Sequence, residues 1–575
     1  MSYLGVTRSA NDRAWIGPDA EAERLAEALA QAGHPLALAQ HLARRGVLPD
    51  AAEAFLAPTL RALLPDPRSL RDMERAAARL AHAAERRERI AVFADYDVDG
   101  GASAALIQWW LRGLGHRATL YVPDRIDEGY GPNPPAMARL AEAHDLVVCV
   151  DCGTVSFEAL EAAAAADVLV LDHHLGAETL PRAHAVVNPN RQDEDGALSH
   201  LCAAAVVFLC LVEANRQRRA AGAAVPDLMA MLDLVALATV ADVAPLTGVN
   251  RALVRQGLAV MGRRARPGLR ALADVARMDG PPSSYHLGYL LGPRINAGGR
   301  VGAADLGARL LSTDDEAEAA ALAARLDDLN RERRAIEARI GDDARAQAEA
   351  RGGPLAWAAG EGWHPGVVGI VASRLKDATH RPAVVIGLRE DGLGQGSVRS
   401  VAGVDIGAAV QRLAAEGLLV KGGGHRMAAG LTVERAKLEA AMERLGELVA
   451  RQGAGLGEPG SLRIDGTLMP GAATPDLVAM LERAGPFGQG APAPRFALPD
   501  LRVAASRPVG EGHLKITFAD GRIRLDAIAF RAAPALHALA AEGRPLHVAG
   551  RLEINRWQGR ETVQLKLDDA APASG

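Results

Sequence analysis

The chain has 575 residues and a mass of 60.1 kDa, is 49% apolar and carries a formal net charge of −5. That length and apolar share exclude a disordered polypeptide and predict several separately cored domains, while the lack of about 18 uninterrupted apolar residues or a basic-then-apolar start argues against a membrane span or a secretory leader. Four cysteines exclude a disulfide framework and point to the reducing cytoplasm, and the mildly acidic balance leaves any phosphate recognition to a local field.

Residues 1–89 are rich in Ala, Leu and Arg at helical spacing, broken at Pro35, Pro49, Pro58 and Pro65, and are expected to form an N-terminal helical segment. From 90 to 312 short apolar runs alternate with helical stretches, which predicts an α/β domain on a parallel sheet. Ile90 to Ala94 runs into Asp95-Tyr96-Asp97-Val98-Asp99-Gly100-Gly101, Leu146 to Val150 into Asp151-Cys152-Gly153, and Val168 to Leu171 into Asp172-His173-His174. Parallel sheets bind ligands at the carboxyl ends of their strands, so these acids and imidazoles converge. The segment Leu232 to Ala241 reads as a helix that brings Asp242 in from the side.

Three carboxylates at alternate positions repel one another unless a cation sits among them. A single Asp after a strand is usually a turn or cap residue, but four such segments in order on one α/β pattern argue for a metal site. The ligand set is Asp95, Asp97, Asp99, Asp151, Asp172, His173 and Asp242. Oxygen donors suit Mg²⁺ or Mn²⁺, and imidazole moves the preference towards Mn²⁺. So many acids suit two ions about 3.5–4 Å apart, with Asp151 as the bridging ligand. Asp95 is the weakest member, because acids at this spacing cannot all point inward from one strand. Cys149 and Cys152 form a CxxC with no second pair, and are read as packed side chains.

Asp314-Asp315-Glu316 caps a charged stretch over 313–351, a helix of roughly 50 Å that serves as a rigid spacer with a solvated face. Residues 352–455 form a smaller α/β lobe, in which Lys421-Gly422-Gly423-Gly424-His425 reads as a glycine-rich turn entering a helix and suited to an anion. Residues 461–570 read as short alternating strands closing into a β-barrel, with Asn555 to Arg560 as a hairpin turn. Phe518, Phe530 and Trp557 are candidate stacking platforms, although core packing is preferred for the two Phe.

The motifs Asp95 to Gly100, Asp151-Cys152-Gly153, Asp172-His173-His174 and Ala241-Asp242-Val243-Ala244-Pro245-Leu246 resemble those of the DHH phosphoesterase superfamily, and the Asp-Tyr-Asp-Val-Asp-Gly form resembles its RecJ family. The resemblance implies a DHH domain, a DHH-associated substrate-binding domain and an OB-like barrel. It implies a single-stranded-DNA exonuclease working 5′ to 3′ by two-metal hydrolysis in recombination and repair. Asp97, Asp99, Asp151, His173 and His174 then serve catalysis, with Asp172 and His174 orienting ligands or touching phosphate. Arg399 and His425 hold a phosphate that Ser397, Gly423 and Gly424 position, and Trp557 stacks on a base. Arg294, Asn296 and Arg300, in Gly292-Pro293-Arg294-Ile295-Asn296-Ala297 and after it, either line the groove or tie the lobes together by ion pairs. Implied partners are single-stranded DNA, a single-strand-binding protein and a helicase, with no membrane. A phosphodiesterase of short or cyclic oligonucleotides needs no barrel, and a non-catalytic DNA-binding scaffold is expected to lose ligands that are all present here.

Overall fold

The computed structural model describes residues 2–124, 128–453, 460–510, 512–557 and 560–573, with Trp557 and Arg560 described by backbone alone. The chain divides into two units, one of residues 65–244 and 256–457, the other of residues 1–64, 245–255 and 458–575.

In the first unit, apolar runs with no polar face become strands covered on both sides. These are β1 (Ile90–Ala94), β2 (Thr119–Tyr121), β3 (Leu146–Val150), β4 (Asp167–Leu171) and β5 (Ala185–Val187), all parallel and ordered β2-β1-β3-β4-β5. Every residue of β1 and β3 is buried. The strand order reverses between these two, which opens a crevice at their carboxyl ends. Helix α1 (Val98–Gly113) begins inside the Asp95 to Gly101 motif. It can begin there because Gly100 lies against the strand end: a Cβ on it would stand 2.4 Å from the Asp95 carbonyl oxygen. Helix α2 (Leu232–Ala241) is buried almost throughout. A π-helical turn over His286–Leu291 continues directly into α3 (Gly292–Val301).

The long helix α4 (Glu316–Arg351) spans roughly 54 Å and is capped by Asp315, which accepts from the Ala317 and Glu318 amides. It is more than a solvated spacer. Leu322, Leu326, Leu329, Ile340 and Ala344 are buried along one side, together with the ion pair Arg333–Glu337 at 2.7 Å. Beyond it, α5 (Pro365–Thr379) packs on a sheet of β6 (Ala356–Glu361), β7 (Ala383–Leu388), β8 (Leu393–Arg399), β9 (Lys421–His425) and β10 (Ala428–Glu434), ordered β9-β10-β8-β7-β6. The expected glycine-rich turn before a helix is instead the edge strand β9, paired antiparallel with β10. Its glycines meet a packing demand. A Cβ on Gly422 would touch Val410 and Leu419, and one on Gly424 would stand 2.4 Å from Ala429 Cα.

In the second unit, β11 (Phe496–Val509), β12 (His513–Asp520), β13 (Ile523–Ala529), β14 (Leu546–Trp557) and β15 (Arg560–Pro572) form a barrel, closed by pairing of β14 with β11. The N-terminal helices are not a domain of their own. Residues 65–89 belong to the first unit, while Leu29, Leu38, Leu42 and Leu56 share one core with Leu468, Leu481, Leu498 and Phe518 of the barrel unit. Trp15 is fully buried and donates its indole N–H to Asp569 at 3.1 Å, joining the start of the chain to β15. Phe518 is core, as its alternation predicts. Phe530 is 54% exposed, because it lies just past the end of β13 beside His513 and Lys566. Gln558 and Gly559, where the sequence leads one to expect a turn, and the Trp557 side chain lie outside the described residues.

Because the N-terminal helices complete the barrel's core, a fragment of residues 458–575 is expected to give a collapsed, poorly dispersed NMR spectrum that sharpens when residues 1–64 are added. Leu42→Ala in the whole chain is expected to cost about 2–5 kcal/mol by denaturant unfolding. A well-dispersed spectrum from the fragment alone would show that the barrel is self-sufficient.

Candidate metal centre

The three acids of the first motif leave the backbone from three different kinds of position, which removes the geometric objection to their convergence. Asp95 follows β1 directly, Asp97 is the N-cap of α1, and Asp99 lies in its first turn. Asp97 Oδ1 accepts from the amides of Asp99 at 2.9 Å and Gly100 at 3.1 Å, which fixes its carboxylate. Asp99 is buried, and its two oxygens accept from the Ala203 and Ala204 amides at 2.7 and 2.8 Å. Those amides open the helix Ala203–Ala220, whose positive end favours the anion.

Asp151 leaves β3 with φ of +60°, and Val243, next to Asp242, has the same φ. For β-branched Val243 this is a costly conformation, and both positions lie at or beside the acids. His173 Nε2 stands among the carboxylates, 3.3 Å from Asp151 Oδ1, 3.7 Å from Asp99 Oδ2 and 3.9 Å from Asp242 Oδ2. Among the described residues, three groups have ligand atoms all within 4.8 Å of one another: Asp95, Asp97 and Asp151; Asp99, His173 and Asp242; and Asp151, His173 and His174.

This donor set fits divalent cations on its own chemistry. Burial, then the charges of Asp99, Asp97 and Asp95, pushes the Asp151 carboxyl far above the ordinary carboxylate range. Burial raises Asp99 against the pull of His173, and burial followed by Asp99 and Asp97 raises Asp242 to about 8. Asp151 Oδ1 is buried and accepts no hydrogen bond. Acids crowded in this way favour a cation over their own protons.

Asp172 behaves differently and belongs to none of the three groups. Its oxygens accept from the Thr154 amide at 3.1 Å, Thr154 Oγ1 at 2.7 Å, the His173 amide at 2.7 Å and His174 Nδ1 at 2.8 Å. Burial works to raise its pKa, but the bonds and charge of His174, with Thr154, hold it below the ordinary range. Protein donors thus occupy both oxygens, and one of them is His174 Nδ1. Burial lowers the His174 pKa, while the Asp172 hydrogen bond and charge carry it up to about 9. Its Nε2 lies 3.0 Å from the Tyr130 hydroxyl.

Sequence reasoning missed Thr154, Asn188 and Asn190. Asn188 Nδ2 donates to Thr154 Oγ1 and to the His174 carbonyl, both at 2.8 Å, and Asn190 Nδ2 donates to the His173 carbonyl. Asn188-Pro189-Asn190 follows β5 as the acids follow β1 and β3, and that repeated pattern was the available signal. Cys149 and Cys152 are buried and free, with thiols pushed up by burial.

The expected substrate residues separate into two sets. Arg294 is buried and bonded to Asp327 Oδ1 at 2.9 Å, an ion pair that ties α3 to α4. Asn296 Oδ1 accepts from the Val98 amide at 3.0 Å and so holds the metal loop. Arg300, Gly366, Ser397, Lys421, Gly423 and Thr432 line a cleft of about 520 Å³. A Cβ on Gly366 would stand 2.2 Å from the Arg300 carbonyl oxygen, so only glycine lets α5 start this close to α3. Arg399 Nη1 donates to Ser397 Oγ at 2.8 Å and thereby orients it. Gly424 and His425 are exposed at the end of β9 and do not line the cleft.

Residues 89–239 match the DHH family N-terminal domain, residues 352–451 the DHHA1 domain and residues 464–569 the RecJ OB domain. The chain is 37% identical to the single-stranded-DNA-specific exonuclease RecJ of Escherichia coli over 526 residues, covering 88% of this chain and 91% of that protein. Among solved structures, RecJ of Thermus thermophilus in complex with Mn²⁺ is similar with a TM-score of 0.80 at 32% identity, covering 97% of this chain and 79% of the other. The same protein in complex with Mg²⁺ has a TM-score of 0.74 at 30% identity, covering 98% and 79%.

A carboxyl raised on folding contributes stability that is fully present below its unfolded value of about 3.8 and is lost as pH rises through its folded value, about 8 for Asp242. In chelator the melting temperature is therefore expected to fall between about pH 5 and pH 9, with Mn²⁺ giving its largest increase at the alkaline end. Asp242→Asn should flatten part of the fall. A melting temperature in chelator that climbs across this window would show that the acids are not crowded as described.

Proposed function

Since the chain belongs to the RecJ family, we propose that it is a metal-dependent, single-stranded-DNA-specific exonuclease, the activity for which its relatives are named. The observation that carries the reading is the three ligand groups linked through Asp151 and His173, in a chain that also has the DHHA1 and RecJ OB domains. Asp95, Asp97 and Asp151 would hold one divalent cation, Mn²⁺ or Mg²⁺, and Asp99, His173 and Asp242 would hold a second. When bound, the two cations supply charge that lowers the pKa of a water and stabilises the departing oxygen.

The protein's own groups position and neutralise. Asp97 keeps its orientation through the α1 amides, and Asp99 through the amides of Ala203 and Ala204. His174, oriented by Asp172, contacts a phosphate oxygen. Arg300, Ser397 and Arg399, with the open face of Gly423, hold a strand phosphate in the cleft. The barrel is a second surface for single-stranded DNA, on which Phe530 is more accessible than Phe518. Digestion from 5′ to 3′, a place in recombination and repair, and cooperation with a single-strand-binding protein and a helicase follow from the same family resemblance.

The test uses end-labelled single-stranded, duplex and RNA substrates with Mn²⁺ or Mg²⁺. Asp97→Ala and His173→Ala are each expected to lower the rate on single-stranded DNA by about 10³-fold or more, and Asp172→Asn by about 10- to 100-fold through loss of His174 orientation. Faster cleavage of dinucleotides than of long strands would favour a short-oligonucleotide phosphodiesterase instead.

A further inference from the structure

Large aromatic side chains are scarce in this sequence, and Trp15, Trp110, Phe93, Phe208, Phe496 and Phe518 are fully buried. Against that background Tyr285 and Tyr289 are 61% and 70% exposed, one helical turn apart, with ring centroids 5.4 Å apart and planes 23° from parallel. They sit where the helix widens into its π turn, a local irregularity often found at functional sites.

The rod that carries them reaches the whole of the proposed active site. Gly288 lies against Val240 of α2, where a Cβ would stand 3.3 Å from its side chain, and Gly292 approaches the Ala241 Cβ equally closely. Asp242, the next residue, closes that helix. Further along, Asn296 holds the Val98 amide of the metal loop, and Arg300 donates to the Gly366 carbonyl at 3.1 Å while lining the phosphate cleft. From Tyr289 to Arg300 is eleven residues, roughly 16 Å along the axis and the reach of a few nucleotides of single strand.

Building on the exonuclease reading, we propose that Tyr285 and Tyr289 form a stacking platform for nucleobases of the single-stranded substrate, a few nucleotides from the phosphate held near Arg300. Two stacked rings are far too small for a stable protein interface, which needs on the order of 1,000 Å². A flat, uncharged, sequence-tolerant surface is what a base requires.

The experiment compares full-length wild type with Tyr285→Ala/Tyr289→Ala and Tyr285→Phe/Tyr289→Phe. Binding of single-stranded oligonucleotides is measured in chelator, and kinetics with Mn²⁺. The double Ala variant is expected to weaken binding about ten-fold and to raise KM more than it lowers kcat, and the double Phe variant to bind like wild type. Abasic sugars placed at successive positions should identify one or two sites where the wild type loses affinity and the double Ala variant loses no more. An equal abasic penalty in both proteins at every position would overturn the platform, as would a wild-type dimer that dissociates in the Ala variant with DNA binding unchanged. Wild type that binds the strand but fails to degrade it would sink the exonuclease reading and leave the binding comparison intact.

Discussion

Carboxylates crowded into a buried crevice repel one another, and the rest of this molecule is arranged around that repulsion. Asp95, Asp97, Asp99, Asp151 and Asp242 meet where the parallel sheet changes direction, and several are driven towards protonation by burial and mutual charge. The fold answers with local dipoles. The first turn of α1 binds Asp97, and the start of the helix Ala203–Ala220 binds Asp99. What these amides leave uncompensated is the charge that a divalent cation neutralises. The strained backbone at Asp151 and Val243 belongs to the same arrangement, because it turns the acids inward at the ends of elements that would otherwise direct them elsewhere.

Two histidines in succession take opposite parts. His173 faces the acids, whereas His174 is held by an Asp172 whose oxygens are already occupied. Thr154, Asn188 and Asn190 complete the network by holding Asp172 and the backbone carbonyls of both histidines. The cleft of the smaller lobe is held near α3 by a glycine contact too close for any side chain, and α3 also holds the metal loop through Asn296. Phosphate cleft and metal loop are therefore referenced to one rigid element.

The strand-end acids are legible because a buried parallel strand is written as an unbroken apolar run, and a polar residue that ends such a run must lie at its mouth. The long helix and the closing barrel are legible from caps and alternation for the same reason. Arg294 reads equally well as a groove residue or a tie between elements, because a sequence does not show that Asp327 lies beside it. The glycines of β9 suggest an anion-binding turn, yet Gly422 and Gly424 meet neighbours from elsewhere in the chain and only Gly423 is open. The N-terminal helices look separate because their partners lie more than 400 residues away, in the core that Leu42 shares with Leu481 and Phe518.

By itself the sequence determined which acids and imidazoles stand at strand ends, and hence a divalent-metal site, because alternation and strand length constrain side chains locally; the phosphoesterase reading came with the resemblance of those motifs to the DHH family. Only the tertiary structure decided the roles. Asp172 and Asp151 follow strands in the same way, but one is saturated with hydrogen bonds and the other has a buried oxygen that accepts none. Whether a carboxylate binds a metal or orients a neighbour depends on donors brought from distant segments, and that supply is a property of packing.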